Sequence, residues 1–258
     1  MLETHQRLPS IEEIHSSNDI LYKLSTVKVV RVGDKVIKYG DQVQVAEADS
    51  MKFVANRTSI PIPKVFRTFN HEGKVYICME RVGGRCLDDC LSELKDDEIM
   101  SIAEELGGFV TQLRAIEGGD YVGSLHGGPC GDHLWNYNED LPRGPFKDES
   151  QLNDTLTALY LDRYPGNFST FLRSLYRDNH RIIFTHGDLT LRNIMVSEGR
   201  IVGIIDWEFA GWYPEYWEYV KSLYGDSWQT KCPLFIDKLF PSYRYELMLH
   251  NILYAALT

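Results

Sequence analysis

The sequence predicts an α+β chain of two lobes: a small antiparallel β-sheet carrying one helix, then a larger, mostly helical part with a few short strands. Three observations predict it. Residues 20–82 are dominated by short β-branched and aromatic runs separated by turn signals. Gly83-Gly84 then breaks that pattern. Beyond it, apolar residues recur at helical spacing, as at Ile99, Ala103, Leu106, Val110 and Leu113. The lobes divide into residues 1–82 and 83–258, with a hinge near 80–84.

The elements follow in order. Val27 to Val32 alternates as a strand, Gly33-Asp34 turns the chain, and residues 35–39 return as a second strand that Gly40-Asp41 ends. Val43, Ala46, Ser50, Phe53 and Val54 then recur at helical spacing up to Asn56. Pro61 and Pro63 close this segment. A further strand pair spans 67–69 and 75–79, turning at 70–73. In the second part, Asp96 or Asp97 is the expected cap of a long helix ended by Gly118-Gly119. Residues 118–148, rich in Gly, Pro and Asp, read as loop. Amphipathic stretches near 149–163 and 167–178 precede three short apolar strands at 181–184, 193–196 and 201–205. Helices are expected from Pro214 to the end.

Composition bounds the function. Hydrophobic residues make up 43% and charged residues 25%, which is ordinary for a folded domain and excludes a disordered or collagen-like chain. Lys plus Arg is 27 against 37 Asp plus Glu, a formal charge of −10 with no basic run, so no nucleic-acid partner is expected. An acidic surface serves solubility and is compatible with a cationic substrate. The five cysteines, Cys78, Cys86, Cys90, Cys130 and Cys232, form no CxxC pair, and reduced thiols in a cytoplasmic protein are expected. No apolar run approaches the ~18 residues of a membrane span, and the first residues do not read as a signal peptide.

The chemistry concentrates at 185–195 and just beyond. His186, Asp188 and Asn193 lie in a turn between two apolar strands, and Asp206 ends the next strand. If 193–196 and 201–205 pair as a hairpin, Asn193 and Asp206 meet at its open ends. A carboxylate and a carboxamide are hard oxygen ligands suited to Mg²⁺, and a separate carboxylate can accept a hydroxyl proton. Those are parts that phosphoryl transfer requires. The missing cation for the phosphates is Lys38, on the strand after the Gly33 turn, with Glu47 on the following helix placed to pair with it.

The chain resembles the aminoglycoside phosphotransferase / choline kinase-like family of small-molecule kinases. Its transfer motif is His186-Gly-Asp-Leu-x-x-x-Asn193 and its metal motif Ile204-Ile-Asp206-Trp-Glu-x-Ala-Gly211. The Lys38 strand, Glu47, Thr58-Ser-Ile-Pro-Ile-Pro63 and Met79-Glu-Arg-Val-Gly-Gly84 also look like that family, over about residues 28–220. The resemblance implies a protein-kinase-like fold whose first lobe binds ATP. It implies Asp188 as the catalytic carboxylate, His186 as a brace of the turn, and Asn193 and Asp206 as holders of Mg²⁺. Lys38 would meet the phosphates with Glu47 as partner, and backbone groups from Glu80 to Val82 would meet the adenine.

The acceptor would be a hydroxyl of a small molecule. Glu208, Asp132, Trp212, Tyr213 and Trp217 are the candidates to line its site, with carboxylates near rings suiting an ammonium group. The same aromatic run also reads as a buried helix face. Asp206-Trp-Glu replaces the Asp-Phe-Gly of protein kinases and no Ala-Pro-Glu segment follows, which argues against a protein substrate. No glycine-rich loop precedes Lys38, so Ser25 and Thr26 are the groups expected near the phosphates. A catalytically inactive, nucleotide- or ligand-binding relative is the alternative.

Overall fold

The computed structural model describes residues 7–136, 141–158, 167–224 and 238–257. Its first part is a five-stranded antiparallel sheet of order β1-β2-β3-β5-β4. The strands are β1 (Ile20–Lys23), β2 (Val27–Val32), β3 (Lys35–Gly40), β4 (Val65–His71) and β5 (Lys74–Glu80). Period-two alternation splits the sheet into two faces. Val30, Ile37, Tyr39, Tyr76 and Cys78 form one small core with Ile14. Val27, Val36, Ile77 and Met79 belong instead to the main core shared with the second lobe. Lys38 lies on this second face, two residues from Val36 and opposite Val29 and Ile77.

The first lobe carries two helices where one was expected. Helix α2 (Val45–Ala55) lies where the periodicity placed it. The other, α1 (Ile11–Ser16), is capped by Ser10 in a reciprocal box with Glu13, and buries Ile14 against the sheet. Its six residues are too few for a periodic signal, and tertiary packing rather than propensity holds it. His15 bonds the Tyr76 hydroxyl at 2.8 Å, on a stack of Tyr39, Tyr76 and Phe69.

In the second part, β6 (Arg85–Cys86) is followed by the short α3 (Leu87–Cys90) and the long α4 (Asp96–Arg114). The N-cap of α4 is Lys95 rather than Asp96 or Asp97, and its N–H is held by Glu98 at 3.0 Å. The helix ends at Arg114, before the two glycines. Residues Ala103, Leu106, Val110 and Leu113 are buried on one face, and Ile99 partly so. Residues 118–148 are not wholly loop, since β7 (Gly123–Ser124) lies within them. Then come α5 (Glu149–Ala158), α6 (Phe168–Leu175), β8 (Ile182–Thr185), β9 (Ile194–Ser197) and β10 (Arg200–Ile204). A strand, β11 (Gly211–Pro214), stands where the helical reading begins, and precedes α7 (Trp217–Tyr224) and α8 (Arg244–Leu257).

The small sheets position the chemistry. Strands β9 and β10 pair antiparallel, and β6 joins the far side of β9. Strand β11 pairs β8 and β7, so Gly211 lies beside Thr185 at the entrance to the His186 turn. Cys78, Cys86, Cys90 and Cys130 are free thiols, and Cys232 lies outside the described residues. No described helix is long and apolar enough to cross a membrane.

Candidate active site

Strand β8 delivers the chain into a tight turn at 186–193. Gly187 has φ +83°, and a Cβ there would lie 2.5 Å from the Phe209 carbonyl oxygen, so only glycine fits. His186 is fully buried. Its Nε2 lies 3.0 Å from the Ile205 carbonyl, and its Nδ1 accepts the Asp188 N–H at 3.2 Å. Burial holds this imidazole below the usual histidine range, so a neutral ring carries both bonds. His186 thereby ties the Asp188 turn to the end of β10.

Asn193 closes the turn. Its Nδ2 donates to the Asp188 carbonyl at 2.8 Å and to Asp188 Oδ2 at 2.9 Å, leaving the amide oxygen as its acceptor group. The Ile205 N–H donates to the Asn193 carbonyl at 3.0 Å. The open ends of the β9–β10 hairpin therefore do meet. Asp206 follows with φ 66°, a left-handed conformation that aspartate tolerates better than most residues and that re-aims the chain as the strand ends.

Lys38 reaches this point from the other lobe. Its Nζ lies 2.9 Å from Glu47 Oε2, 2.6 Å from Asp206 Oδ1 and 3.0 Å from Glu208 Oε2. Burial works to depress this ammonium, but the three carboxylates outweigh it and hold it above the usual lysine range. Burial pushes the Glu47 carboxyl up to about 7, with Lys38 opposing. Glu208 is also raised, by burial and then by the Asp206 charge. One oxygen each from Glu47, Asp206 and Glu208 lie within 4.8 Å of one another. These three carboxylates are all-oxygen donors of the kind that fits a hard divalent cation.

The other expected site residues lie outside the Lys38 ion-pair cluster. Asp132 is buried and ion-paired to Lys221 at 2.7 Å, inside the second lobe. Trp212 packs edge-on to Phe53 and Phe184, and Trp217 stacks on Tyr213 at 5.0 Å. Trp212, Tyr213 and Trp217 are at most 5% exposed, so they are core side chains and not cleft walls. Glu80 ends β5, where its N–H bonds the Lys64 carbonyl at 2.8 Å, and Val82 lies just beyond, with its side chain against Gly203. Thr26 donates to Gln42 Oε1 at 2.6 Å in the β1–β2 connection.

Sequence reading missed Glu218. Buried in the first turn of α7, it accepts the backbone N–H groups of His186, Gly187 and Leu189. Burial pushes its carboxyl up to about 7, against those bonds. It pins the 186–189 turn from behind. The signal available was a carboxylate inside the apolar run Trp217-Glu-Tyr-Val220.

The description of the phosphotransferase enzyme family matches residues 16–243, and the chain belongs to that family. No curated protein matches it at the level of sequence. Among solved structures it is similar to a thermostable mutant of aminoglycoside phosphotransferase APH(4)-Ia in ternary complex with ADP and hygromycin B. That match has 16% identity and a TM-score of 0.59, over 94% of this chain and 82% of the other. A choline/ethanolamine kinase family protein from Mesorhizobium loti matches with 14% identity and a TM-score of 0.56, over 92% and 76%. Spectinomycin phosphotransferase APH(9)-Ia, in complex with ADP and spectinomycin, matches with 13% identity and a TM-score of 0.55, over 91% and 80%. At these identities the likeness is one of fold.

Proposed function

We propose that this chain transfers the γ-phosphoryl group of ATP to a hydroxyl of a small molecule, with Mg²⁺ bound between Asn193 and Asp206. One observation carries the reading: Lys38, from the first lobe, is bonded to Asp206, whose strand is bonded to the turn that holds Asp188. Nucleotide site, metal donors and candidate base thus converge across the lobe boundary. Residues 1–82 form the nucleotide-binding lobe, with backbone groups from Glu80 to Val82 at the adenine, and residues 83–258 carry the catalytic turn and the acceptor site.

Lys38 holds the α- and β-phosphates, and Glu47 fixes its ammonium. Bound Mg²⁺ would neutralise charge on the β- and γ-phosphates. Asp188 orients the acceptor hydroxyl and takes its proton. The acceptor oxygen forms a bond to the γ-phosphorus. The bond from that phosphorus to the bridging oxygen breaks, and its electron pair leaves on ADP. His186, Asn193 and Glu218 hold the turn still, so that little reorganisation accompanies transfer. Glu208, about one-third exposed beside Lys38, is the carboxylate at the mouth through which a cationic acceptor would be held.

Thermal unfolding with and without Mg²⁺–ATP tests the reading on wild type and on Asp206→Ala. At a ligand concentration ~100-fold above Kd, binding adds about 2.7 kcal/mol. For a chain of this size that raises Tm by roughly 5–10 °C. The shift should vanish in Asp206→Ala and persist in Asp188→Ala, while Asp188→Ala lowers transfer by roughly 10²–10⁴-fold. An unshifted wild type, or full turnover in Asp188→Ala, overturns the assignment.

A further inference from the structure

Arg192 is placed where transfer would occur. The 3₁₀ turn Leu191–Asn193 puts it one residue before Asn193. Its Nη2 lies 3.2 Å from Asp188 Oδ1 and 3.1 Å from Oδ2. Among the described residues the guanidinium has no other hydrogen-bond partner, and its side chain is 57% exposed. Burial works to lower its pKa, but the charge and hydrogen bonds of Asp188 hold it above the usual arginine range. The guanidinium is therefore seated on the carboxylate that would face the acceptor, one residue along the chain from Asn193, which would hold the metal.

Arg192 is more than half exposed and Asp188 about one-sixth exposed, so the pair leaves a solvent-facing edge of the guanidinium open to a further acceptor. Its geometry suits transfer. A guanidinium is planar and always charged, and it presents five N–H groups in a fork. It can keep one edge on Asp188 and turn another to a phosphoryl oxygen, which a point-charge ammonium does less well.

Building on the phosphotransferase reading, we infer that Arg192 donates to the transferring phosphoryl group and neutralises its charge in flight while its other edge stays on Asp188. The covalent bookkeeping is that of the reaction above. The acceptor O–P bond forms, the P–O bond to ADP breaks with its electron pair, and the proton goes to Asp188. Arg192 remains protonated throughout and exchanges only hydrogen bonds.

The probe is ADP with Mg²⁺, titrated with and without aluminium fluoride, whose planar complex mimics a phosphoryl group in transit. Wild type, Arg192→Gln and Arg192→Lys are compared. Exposed substitutions of this kind change stability by within about 0.5 kcal/mol, so all three should unfold alike. In the wild type, fluoride should tighten ADP binding about tenfold or more, since one donor aimed at developing charge is worth roughly 10²-fold or more in rate. Arg192→Gln should bind Mg²⁺–ADP as the wild type does and lose most of the fluoride enhancement, with Arg192→Lys between. Equal enhancement in all three, or none in the wild type while Mg²⁺–ADP still binds, overturns the role of Arg192. Failure of the wild type to bind Mg²⁺–ADP at all overturns the nucleotide site itself, and this inference with it.

Discussion

Two lysines, Lys38 and Lys221, are almost equally withdrawn from solvent, at 8% and 5% side-chain exposure, yet they are shifted in opposite directions. Lys38 faces three carboxylates and is held above the usual lysine range. Lys221 faces one, Asp132, and burial carries it below that range. The Lys221 cluster is balanced and closed. Its ammonium bonds Asp132 at 2.7 Å and the Tyr254 hydroxyl at 2.6 Å, and lies over the Trp217 and Tyr254 rings at 4.7 and 4.9 Å. Asp132 also accepts the Leu134 N–H and the Tyr254 hydroxyl. The Lys38 cluster is formally one positive charge against three negative, and Asp206 and Glu208 are about one-third exposed. Depth alone does not separate a structural ion pair from a site. What separates them is surplus charge with an open side, because surplus charge leaves something for a ligand to neutralise.

The largest effect should come from breaking the closed cluster. Lys221→Met leaves Asp132 buried without its cation, which costs about 3–5 kcal/mol. For this chain length that lowers Tm by about 10 °C. The double variant Lys221→Met/Asp132→Leu should recover most of the loss, since a well-packed apolar pair replaces a buried ion pair at little net cost. Urea unfolding of the single and double variants measures this. A double variant as unstable as the single would mean that Asp132 has work beyond pairing with Lys221.

The open cluster should respond in the reverse manner. Lys38→Met leaves Glu47 without its cation, but a carboxyl already pushed up to about 7 takes a proton readily, which limits the cost to about 1–2 kcal/mol. What disappears is the roughly 2.7 kcal/mol that Mg²⁺–ATP adds to the wild type. Melting curves with and without nucleotide separate the two quantities. A nucleotide shift retained in Lys38→Met would place the phosphates elsewhere.

The difference between the clusters also explains which parts of the site were legible in sequence. Asp188, Asn193 and Asp206 lie beside turns just beyond or before short strands, Glu47 lies on the first turn of a helix, and Lys38 lies within a short strand that follows a Gly turn, so local pattern places each one. The β9–β10 pairing then follows from two apolar runs and a turn. Asp132 was not legible as a core residue because its partner is 89 positions away, on a helix that local pattern cannot dock against it. Trp212 and Trp217 failed for a related reason: an aromatic run beside a motif reads the same whether it lines a cleft or fills a core. Strand β11 is four residues long, and it is its pairing with β8, not its composition, that makes it a strand. Glu218 acts through three backbone N–H groups more than 28 residues away, a contact with no local signature.

A third pair asks whether surplus charge sets the direction of a shift away from the site too. His180 Nδ1 lies 2.7 Å from Glu149 Oε1, and Nε2 lies 3.5 Å from Glu246 Oε1. Glu215 adds to the negative side, while Arg177 faces Glu246 at 3.5 Å. The Glu149 hydrogen bond, against burial, holds the imidazole above its usual range, as the surplus around Lys38 does for its ammonium. A histidine raised in the folded state stabilises fully below its unfolded value of about 6.5 and loses that contribution as pH rises through the raised value. Wild-type Tm should therefore fall as pH rises above about 6.5 more steeply than that of His180→Asn, whose amide can keep the Glu149 contact without titrating. The effect is the smallest of the three, because one hydrogen bond to Glu149 raises the ring's pKa and burial opposes it. Parallel curves for the two proteins would show that the carboxylates around His180 do not set its charge, and the contrast drawn from Lys38 and Lys221 would then not extend beyond those two clusters.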